Sequence, residues 1–473
     1  MANNRIISRK ENFADWYTSV INEANLVQYT DMKGFTIFEP NGWRIWERIR
    51  NDLDVKFKAM GINNLYMPLL IPMSEFEKEK EHVEGFAPEL FTVTQIGDKK
   101  LDDLLVIRPT SEIWFCKYFK NKIKSYKDLP LLTNQWTSVL RAEKNTRPFL
   151  RNTEFHWHET HCAFASHQDA DTFARRFLDL YANFCENELC IPVIKGAKTV
   201  NERFAGATMT YTIESMMQDG QALQSATSHV LGQNFAIPYD IKFQDANNQL
   251  QYAYTTSHGL TTRIIGAIIM VHSDDNGLVL PFNIAECQIK IICLFANKNP
   301  QVYDYAKKIH DQLIKNYRCE IIDSDKGIGY LLAESEVQGT PINLVVGPQD
   351  LQDQTFTFIR RDDGIKHTNK IDELDLSIEA AVKEYKSNLF NKAKQRLDNN
   401  IVMINNFDEL KSVINNKQWA KCYFNGSADD EQKIKELTGA TARCILLEPS
   451  LVMKKCFYTG QDTNQIVIFA KAY

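Results

Sequence analysis

Residues 139–161 read VLRAEKNTRPFLRNTEFHWHETH, and the pattern inside them decides the fold. Arg141 and Glu143 close a short apolar stretch, a polar loop follows, and a second stretch alternates Phe155, Trp157 and Glu159 with His156 and His158. A period of two belongs to a strand, where successive side chains point to opposite faces. On a strand His156 and His158 face one side and His161 the other. The histidine density invites a metal reading. A zinc-protease motif, however, needs His-Glu-x-x-His on a helix, so that ligands four apart share a face. Here the histidines flanking Glu159 are three apart on a strand. No metal site is expected at this position.

Working outward, two other places put an arginine beside an apolar stretch and small polar residues. Arg108-Pro109-Thr110-Ser111-Glu112 follows LLVI, and Gly259-Leu260-Thr261-Thr262-Arg263 opens into the helix-like IIGAIIMVHSDD. Such residues suit one demanding reaction, the activation of a carboxylic acid by a nucleoside triphosphate. Negative charge grows on the phosphate and on the attacking carboxylate, and a fixed cation stabilises it. Arginine grips two oxygens at once and keeps its charge.

Composition sets the limits. The chain has 473 residues, 44% hydrophobic and 24% charged, which predicts two or three soluble domains. The apolar run Ile264–Val271 is far short of the roughly 20 residues of a membrane span. The N-terminus, MANNRIISRKENFADWY, is polar and carries no signal-peptide core, so a cytoplasmic protein is expected. Ten cysteines are scattered without a CxxC pair and read as free thiols. A net charge of −5 means that any nucleic acid must be bound by local patches and shape.

There is no internal repeat. Helix-like spacing runs over 13–30 and 42–60, and a helix at about 169–189 aligns Phe173, Phe177, Tyr181, Phe184 and Cys185. Asp219-Gly220 between two strand-like stretches predicts a hairpin. Antiparallel strands with segregated helices give an α+β first domain over 1–285. From 286 to 385 buried strands alternate with helices, IKIICLFA, VYDYAKKIHDQLIKNY, CEIIDSD and PINLVVG among them, as in a small α/β domain. Residues 386–473 read as a linker helix and a small α/β C-terminal domain, with helices near 407–415 and 429–437 and a final strand.

Taken in order, the arginine–glutamate strand, loop and second strand, then Arg263 opening an apolar helix, resemble motifs 2 and 3 of class II aminoacyl-tRNA synthetases. Phe38-Glu39-Pro40 resembles the proline-bearing motif 1 of that class, which implies a homodimer. Within the class, RPTSE, PFLRNTEFHWHETHCAF, FAGATMTYTIESMMQDGQALQSATSHVLGQNF and GLTTRIIG resemble the prolyl-tRNA synthetases, over roughly residues 10–390. About 95 residues separate His161 from Thr256, too few for the editing insert of bacterial-type enzymes. The resemblance is therefore to the archaeal/eukaryote-like form, which commonly ends in tyrosine, as Tyr473 does here. The alternatives are a class II enzyme for threonine, serine or glycine, and a catalytically silent paralogue. Retention of Arg141, Arg263 and Glu112 speaks against the paralogue.

The resemblance implies substrates and roles. ATP with Mg²⁺, L-proline and tRNA(Pro) would be the ligands. Arg141 would bridge the α-phosphate and the proline carboxylate, Glu143 would meet the adenine-side amine, and Arg263 would hold the γ-phosphate. Arg151, Asn152, Thr153, Gln224, Thr227 and Thr261 would complete the nucleotide site. Thr110 and Glu112 would take the two N–H groups of proline's secondary ammonium. Trp157, His161 and Phe204 would wall the ring, with Glu159 and His229 at its polar edge. Residues 286–385 resemble an anticodon-binding domain, with Glu336, Arg360, Arg361 and Lys366 as candidate contacts. Asn343 and Gln349 stand where that family usually has arginines. Many relatives hold zinc in the C-terminal unit with paired cysteines. This chain has only Cys422, Cys444 and Cys456 there and no histidine after residue 400, so no structural zinc is expected.

Overall fold

A computed structural model describes residues 6–76 and 90–473; residues 1–5, where the polar N-terminal stretch begins, and 77–89 lie outside the described residues. The 139–161 segment falls on two antiparallel strands, Leu131–Leu140 and Glu154–Phe164, with Gln135 opposite Glu159 and Thr137 opposite Trp157. These two strands belong to an eleven-stranded sheet. Its middle runs Val193–Ala197, Met209–Met216, Ala222–Gly232, Tyr254–Thr261, Glu154–Phe164, Leu131–Leu140.

Helix His167–Asn187 covers one face of this sheet. Ser166 caps it by accepting from Asp169 N, and Phe173, Phe177, Tyr181, Phe184 and Cys185 are buried along it as expected. Phe177 stacks on His258 at 4.2 Å, and the Tyr181 hydroxyl meets His158 Nε2 at 2.7 Å. Burial holds both imidazoles neutral: the His158 pKa is pushed down to about 3 and that of His258 falls well below the ordinary value. His156 and His158 thus support the core side, and the opposite face of the same strand is left for the site.

The helix read over 13–30 is shorter. It spans Phe13–Glu23, capped by Asn12, and Asn25 at φ 50° turns the chain into strand Val27–Tyr29, which pairs with Thr36–Phe38. A left-handed residue ends a helix, and beyond it Leu26 and Val27 are buried from extended chain while Tyr29 stays exposed. Helix Pro40–Ala59 begins with Pro40 in its first turn, where no N–H is needed.

The anticodon-like region forms a five-stranded mixed sheet, Cys319–Asp323, Ile289–Cys293, Ile342–Val346, Thr355–Arg360, Lys366–Lys370. Helix Leu374–Asn399 follows and runs across the expected domain boundary at 385. The C-terminal strands Ile401–Met403, Trp419–Tyr423, Thr441–Leu446 and Ile466–Ala470 do not stand apart. They extend the first domain's sheet, with Ile445 beside Ala197 and Leu446 beside Gly196. The Asp219-Gly220 hairpin lies against this unit. Gly220 has φ 82°, and a Cβ there would sit 1.8 Å from Lys417 O, so only glycine fits. Among the described residues no helix is long and apolar enough to cross a membrane.

Candidate active site

Strand register assembles the site in rows. Glu159 lies beside Gly259, which lies beside Thr227; His161 lies beside Ser257, then His229, then Thr210; Trp157 lies beside Thr261. Alternation puts every one of these side chains on the face away from helix His167–Asn187. Gln224 and Thr227 are three apart, which on a regular strand would put them on opposite faces. The pairing with Met209–Met216 shifts at this point: Ile213 faces Ala226 while Glu214 faces Gln224, leaving Ser225 as the extra residue of a bulge. The bulge returns Gln224 to the cavity face with Thr227 and His229. Together these strands floor a cavity of about 290 Å³.

One end of the cavity is acidic and aromatic. The Glu159 carboxylate accepts from Thr110 Oγ1 at 3.1 Å, Ser111 N at 2.9 Å and Gln135 Nε2 at 2.6 Å. His161 lies between two carboxylates, with Nε2 3.3 Å from Glu159 and Nδ1 3.1 Å from Glu112; the second is a charge contact, its N–H not aligned for a hydrogen bond. Burial disfavours charge on both Glu159 and His161, but their charged and hydrogen-bonding neighbours outweigh it. Contacts with Glu112 and Glu159 lift His161 to about 9, and the hydrogen bonds and charge of His161, with Ser111, hold Glu159 at about 2. Two carboxylates and one imidazolium carry a net charge near −1, which suits one ammonium. Trp157, Phe204 and His229 enclose it, with Phe204 tilted over His229 at 4.8 Å. Burial pushes the His229 pKa down to about 3, and its Nδ1 meets Thr210 Oγ1 at 2.9 Å. The Trp157 indole N–H is buried and has no partner among the described residues.

The other end is cationic. Arg141, Arg151 and Arg263 all line it, and Glu143 is the carboxylate beside them, 3.6 Å from Arg151. Burial, then repulsion by Arg151 and Arg141, pulls Arg263 down to about 10, still charged at neutral pH. Three guanidiniums thus gather at this end. Arg263 is aimed by its Nε donating to Leu150 O at 3.1 Å, and Arg141 by its Nε donating to Pro109 O at 3.0 Å. Arg141 lies over the rings of Trp157 and Phe155, 5.4 and 5.5 Å from their centroids, and so joins the two ends.

Of the residues expected here, Thr110, Glu112, Arg141, Glu143, Arg151, Asn152, Trp157, Glu159, His161, Phe204, Gln224, Thr227, His229, Thr261 and Arg263 all line the one cavity. Thr153 does not. Its backbone N donates to Gly34 O at 2.9 Å and its carbonyl accepts from Arg141 N at 2.9 Å, so it pins the strand ends instead. Arg108 also points elsewhere, donating to Met67 O and Ser138 O. Two contributors were missed. Phe155 was legible from its alternation with Trp157; Gln135, which links Glu159 to Ser111 and Met67, becomes visible only once the strands are registered.

The candidates in the 286–385 region are not gathered into one open patch. Arg360 is buried and bonded to Asp362, Asp363 and Glu384. Arg361 is buried and grips Asp274 through two nitrogens, at 2.7 and 2.5 Å. Both differ from the exposed, base-reading place expected of them, because each finds carboxylates within its own chain. Lys366 is exposed and Glu336 half-buried. Asn343 is buried, accepting from Ser335 Oγ at 2.5 Å. All ten cysteines are free. Among the described residues no three Asp, Glu, His or Cys side chains gather as a metal cage.

Residues 91–272 match the tRNA synthetase class II core domain (G, H, P, S and T), 288–381 the anticodon binding domain, and 407–473 the prolyl-tRNA synthetase C-terminal domain. The chain is 57% identical over 469 residues to a proline–tRNA ligase of Ureaplasma parvum, covering 99% of each. It is 49% identical over 471 residues to one of Malacoplasma penetrans, covering 99% of this chain and all of that one. The crystal structure of a prolyl-tRNA synthetase from Cryptosporidium parvum, complexed with halofuginone and AMPPNP, superposes with a TM-score of 0.95 at 34% identity over 99% of both chains.

Proposed function

The chain belongs to the prolyl-tRNA synthetases, the class II ligases that activate L-proline with ATP and charge tRNA(Pro), and we propose that its two-ended cavity binds both substrates of the activation step. The observation that carries this reading is Arg141, which spans from the acidic aromatic end to the arginine-rich end. Proline's secondary ammonium has two N–H donors, and Thr110 Oγ1 and the Glu112 carboxylate receive them. Glu159 and His161 orient that pair, while Trp157, Phe204 and His229 enclose the ring. At the other end Arg263 takes the γ-phosphate, Glu143 the adenine-side amine, and Arg151, Asn152, Gln224, Thr227 and Thr261 the remaining polar atoms, with Thr153 fixing the loop base.

In this arrangement a proline carboxylate oxygen attacks the α-phosphorus, the bond to the bridging oxygen breaks, and pyrophosphate leaves. Arg141 faces both oxygens on which charge grows. A hydroxyl of the 3′-terminal adenosine of tRNA(Pro) then attacks the prolyl carbonyl and AMP leaves. Mg²⁺ fits as an ion carried by ATP: a hard cation takes oxygen ligands, mostly phosphates and waters, and the Gln224 and Glu202 side chains offer oxygens in the same cavity. When bound it would screen phosphate charge.

Exposed Tyr29, Met32 and Ile37 on the hairpin before helix Pro40–Ala59 support a homodimer through motif 1. The cytoplasm is the compartment in which such an enzyme meets tRNA. For the anticodon, Lys366 and Glu336 are the accessible readers; Arg360 and Arg361 would have to open their ion pairs to join them.

Proline-dependent ATP–pyrophosphate exchange tests the assignment. Glu112→Gln is expected to raise KM for proline at least tenfold while leaving KM for ATP nearly unchanged, and Gln224→Ala to do the reverse. Equal effects on both substrates would overturn the two-ended reading.

A further inference from the structure

The nucleotide end of the cavity is braced from outside the first domain. Glu214, on strand Met209–Met216, is fully buried and receives four donors. Lys198 Nζ reaches Oε1 at 2.7 Å and Thr212 Oγ1 reaches it at 3.0 Å; Arg443 reaches Oε2 with Nε at 3.1 Å and Nη2 at 2.8 Å. Arg443 lies on strand Thr441–Leu446 of the C-terminal unit, 229 residues along the chain from Glu214. Lys198 Nζ also donates to Arg443 O at 2.7 Å, which closes the network. Every member is buried. A second tie lies alongside, where Thr199 Oγ1 donates to Glu431 at 2.9 Å.

Place and chemistry make this more than a fastening. Glu214 is the residue opposite Gln224, where the strand pairing shifts, and Ser215 Oγ meets the bulged Ser225 Oγ at 2.7 Å. The bulge is what puts Gln224 on one face with Thr227. Glu214 also shares the face of Thr210 and Thr212, the cavity side, and its charge acts favourably on the Arg263 guanidinium. A buried carboxylate keeps its charge and its rotamer only while its cations stay in place. Lys198 supplies one of these from within the first domain; Arg443 supplies the other, in fork geometry, from the C-terminal unit.

We propose that Arg443 is a positioning residue of the nucleotide site, acting through Glu214 to hold the bulge that presents Gln224 and Thr227 and to set the charge facing Arg263. The C-terminal unit is then part of the ATP-binding apparatus, although none of its residues lines the cavity. The inference rests on the nucleotide reading of Gln224, Thr227 and Arg263.

The full-length enzyme tests it in proline-dependent ATP–pyrophosphate exchange, with thermal unfolding of each variant in parallel. Arg443→Met is expected to raise KM for ATP about tenfold while KM for proline stays within twofold. Arg443→Lys keeps a cation but loses the fork, and is expected to raise KM for ATP about threefold. If Arg443→Met does not fold, the lysine variant decides alone. Unchanged KM for ATP in a folded Arg443 variant, or equal shifts for ATP and proline, would overturn the proposal. Gln224→Ala is the control in the same assay. If it too leaves KM for ATP unmoved, the nucleotide reading has failed, and the Arg443 inference fails with it; if it moves KM and Arg443 does not, only the inference has failed.

Discussion

Arginines behave oppositely in the two halves of this molecule. In the cavity, Arg141, Arg151 and Arg263 line one end together, with Glu143 3.6 Å from Arg151 and Glu214 acting favourably on Arg263, and burial and mutual repulsion still weigh on Arg263. In the anticodon-like region, Arg360 has three carboxylates and Arg361 has Asp274. The first set gathers guanidiniums at one end of a cavity, as an anion site does; the second is part of the frame. Neighbours in sequence mark the second set only in part, through Asp362 and Asp363 beside Arg360; for Arg361 only the charge already satisfied around it separates the cases. The Arg361–Asp274 pair has a further consequence. Asp274 follows helix Arg263–His272, so the anticodon-like domain holds the far end of the helix that carries Arg263 into the cavity.

The comparison breaks first at Arg141. Arg141→Ala is expected to cut proline-dependent pyrophosphate exchange by about 10²–10³, the loss of about 3–4 kcal/mol of transition-state stabilisation, with little change in melting temperature. Arg361→Ala is expected to do the opposite. It leaves Asp274 partly buried without its cation, and a lost charge-assisted pair of this kind costs about 2 kcal/mol, moderated by the exposure that Asp274 retains. Urea unfolding should show an earlier transition, with exchange per folded molecule maintained. Near-parental exchange in the first variant, or parental stability in the second, would mean that the two sets do not differ as described.

A smaller effect sharpens the contrast within the cavity. Against the penalty of burial, Glu112 and then Glu159 raise the His161 pKa to about 9, and His161 with Ser111 lowers that of Glu159 to about 2. By linkage, the His161 contribution to stability is complete below its unfolded value of 6.5 and is lost as pH rises through about 9. The Glu159 contribution is complete above 4.5 and is lost as pH falls through about 2. The melting-temperature advantage of the parent over His161→Asn should therefore be greatest between these windows and shrink toward pH 9. A difference that is flat with pH would remove the imidazolium.

The smallest expected effect is none. Dialysis against a chelator should leave the melting temperature and activity in MgATP unchanged, because Cys422 and Cys444 are buried in apolar surroundings and Cys456, whose Sγ accepts from Thr459 N at 3.3 Å, has no paired cysteine close to it in sequence. One zinc per chain surviving that dialysis would reverse this prediction.

Much of this protein is determined by local pattern. Alternation at period two placed Trp157, Glu159 and His161 on one face of a strand, and helical spacing placed Phe173, Phe177 and Tyr181 under it. Asp219-Gly220 marked its hairpin because the turn needs a positive φ. Those signals are carried by neighbours a few residues apart, and chain geometry ties such neighbours to one element. What the tertiary structure alone decided depends on pairing at long range. Gln224 reaches the cavity by a bulge, and a bulge is a relation between two strands. Gln135 matters because it falls opposite Glu159. Arg361 leaves the surface because Asp274, 87 residues away, pairs with it, and Glu384 closes on Arg360 beside the local Asp362 and Asp363. The C-terminal strands continue the first domain's sheet, bringing Arg443 to Glu214, because an exposed strand edge beside Val193–Ala197 leaves backbone N–H and C=O groups to be satisfied. Spacing along the chain encodes which face a side chain takes; only packing sets which charge it meets there.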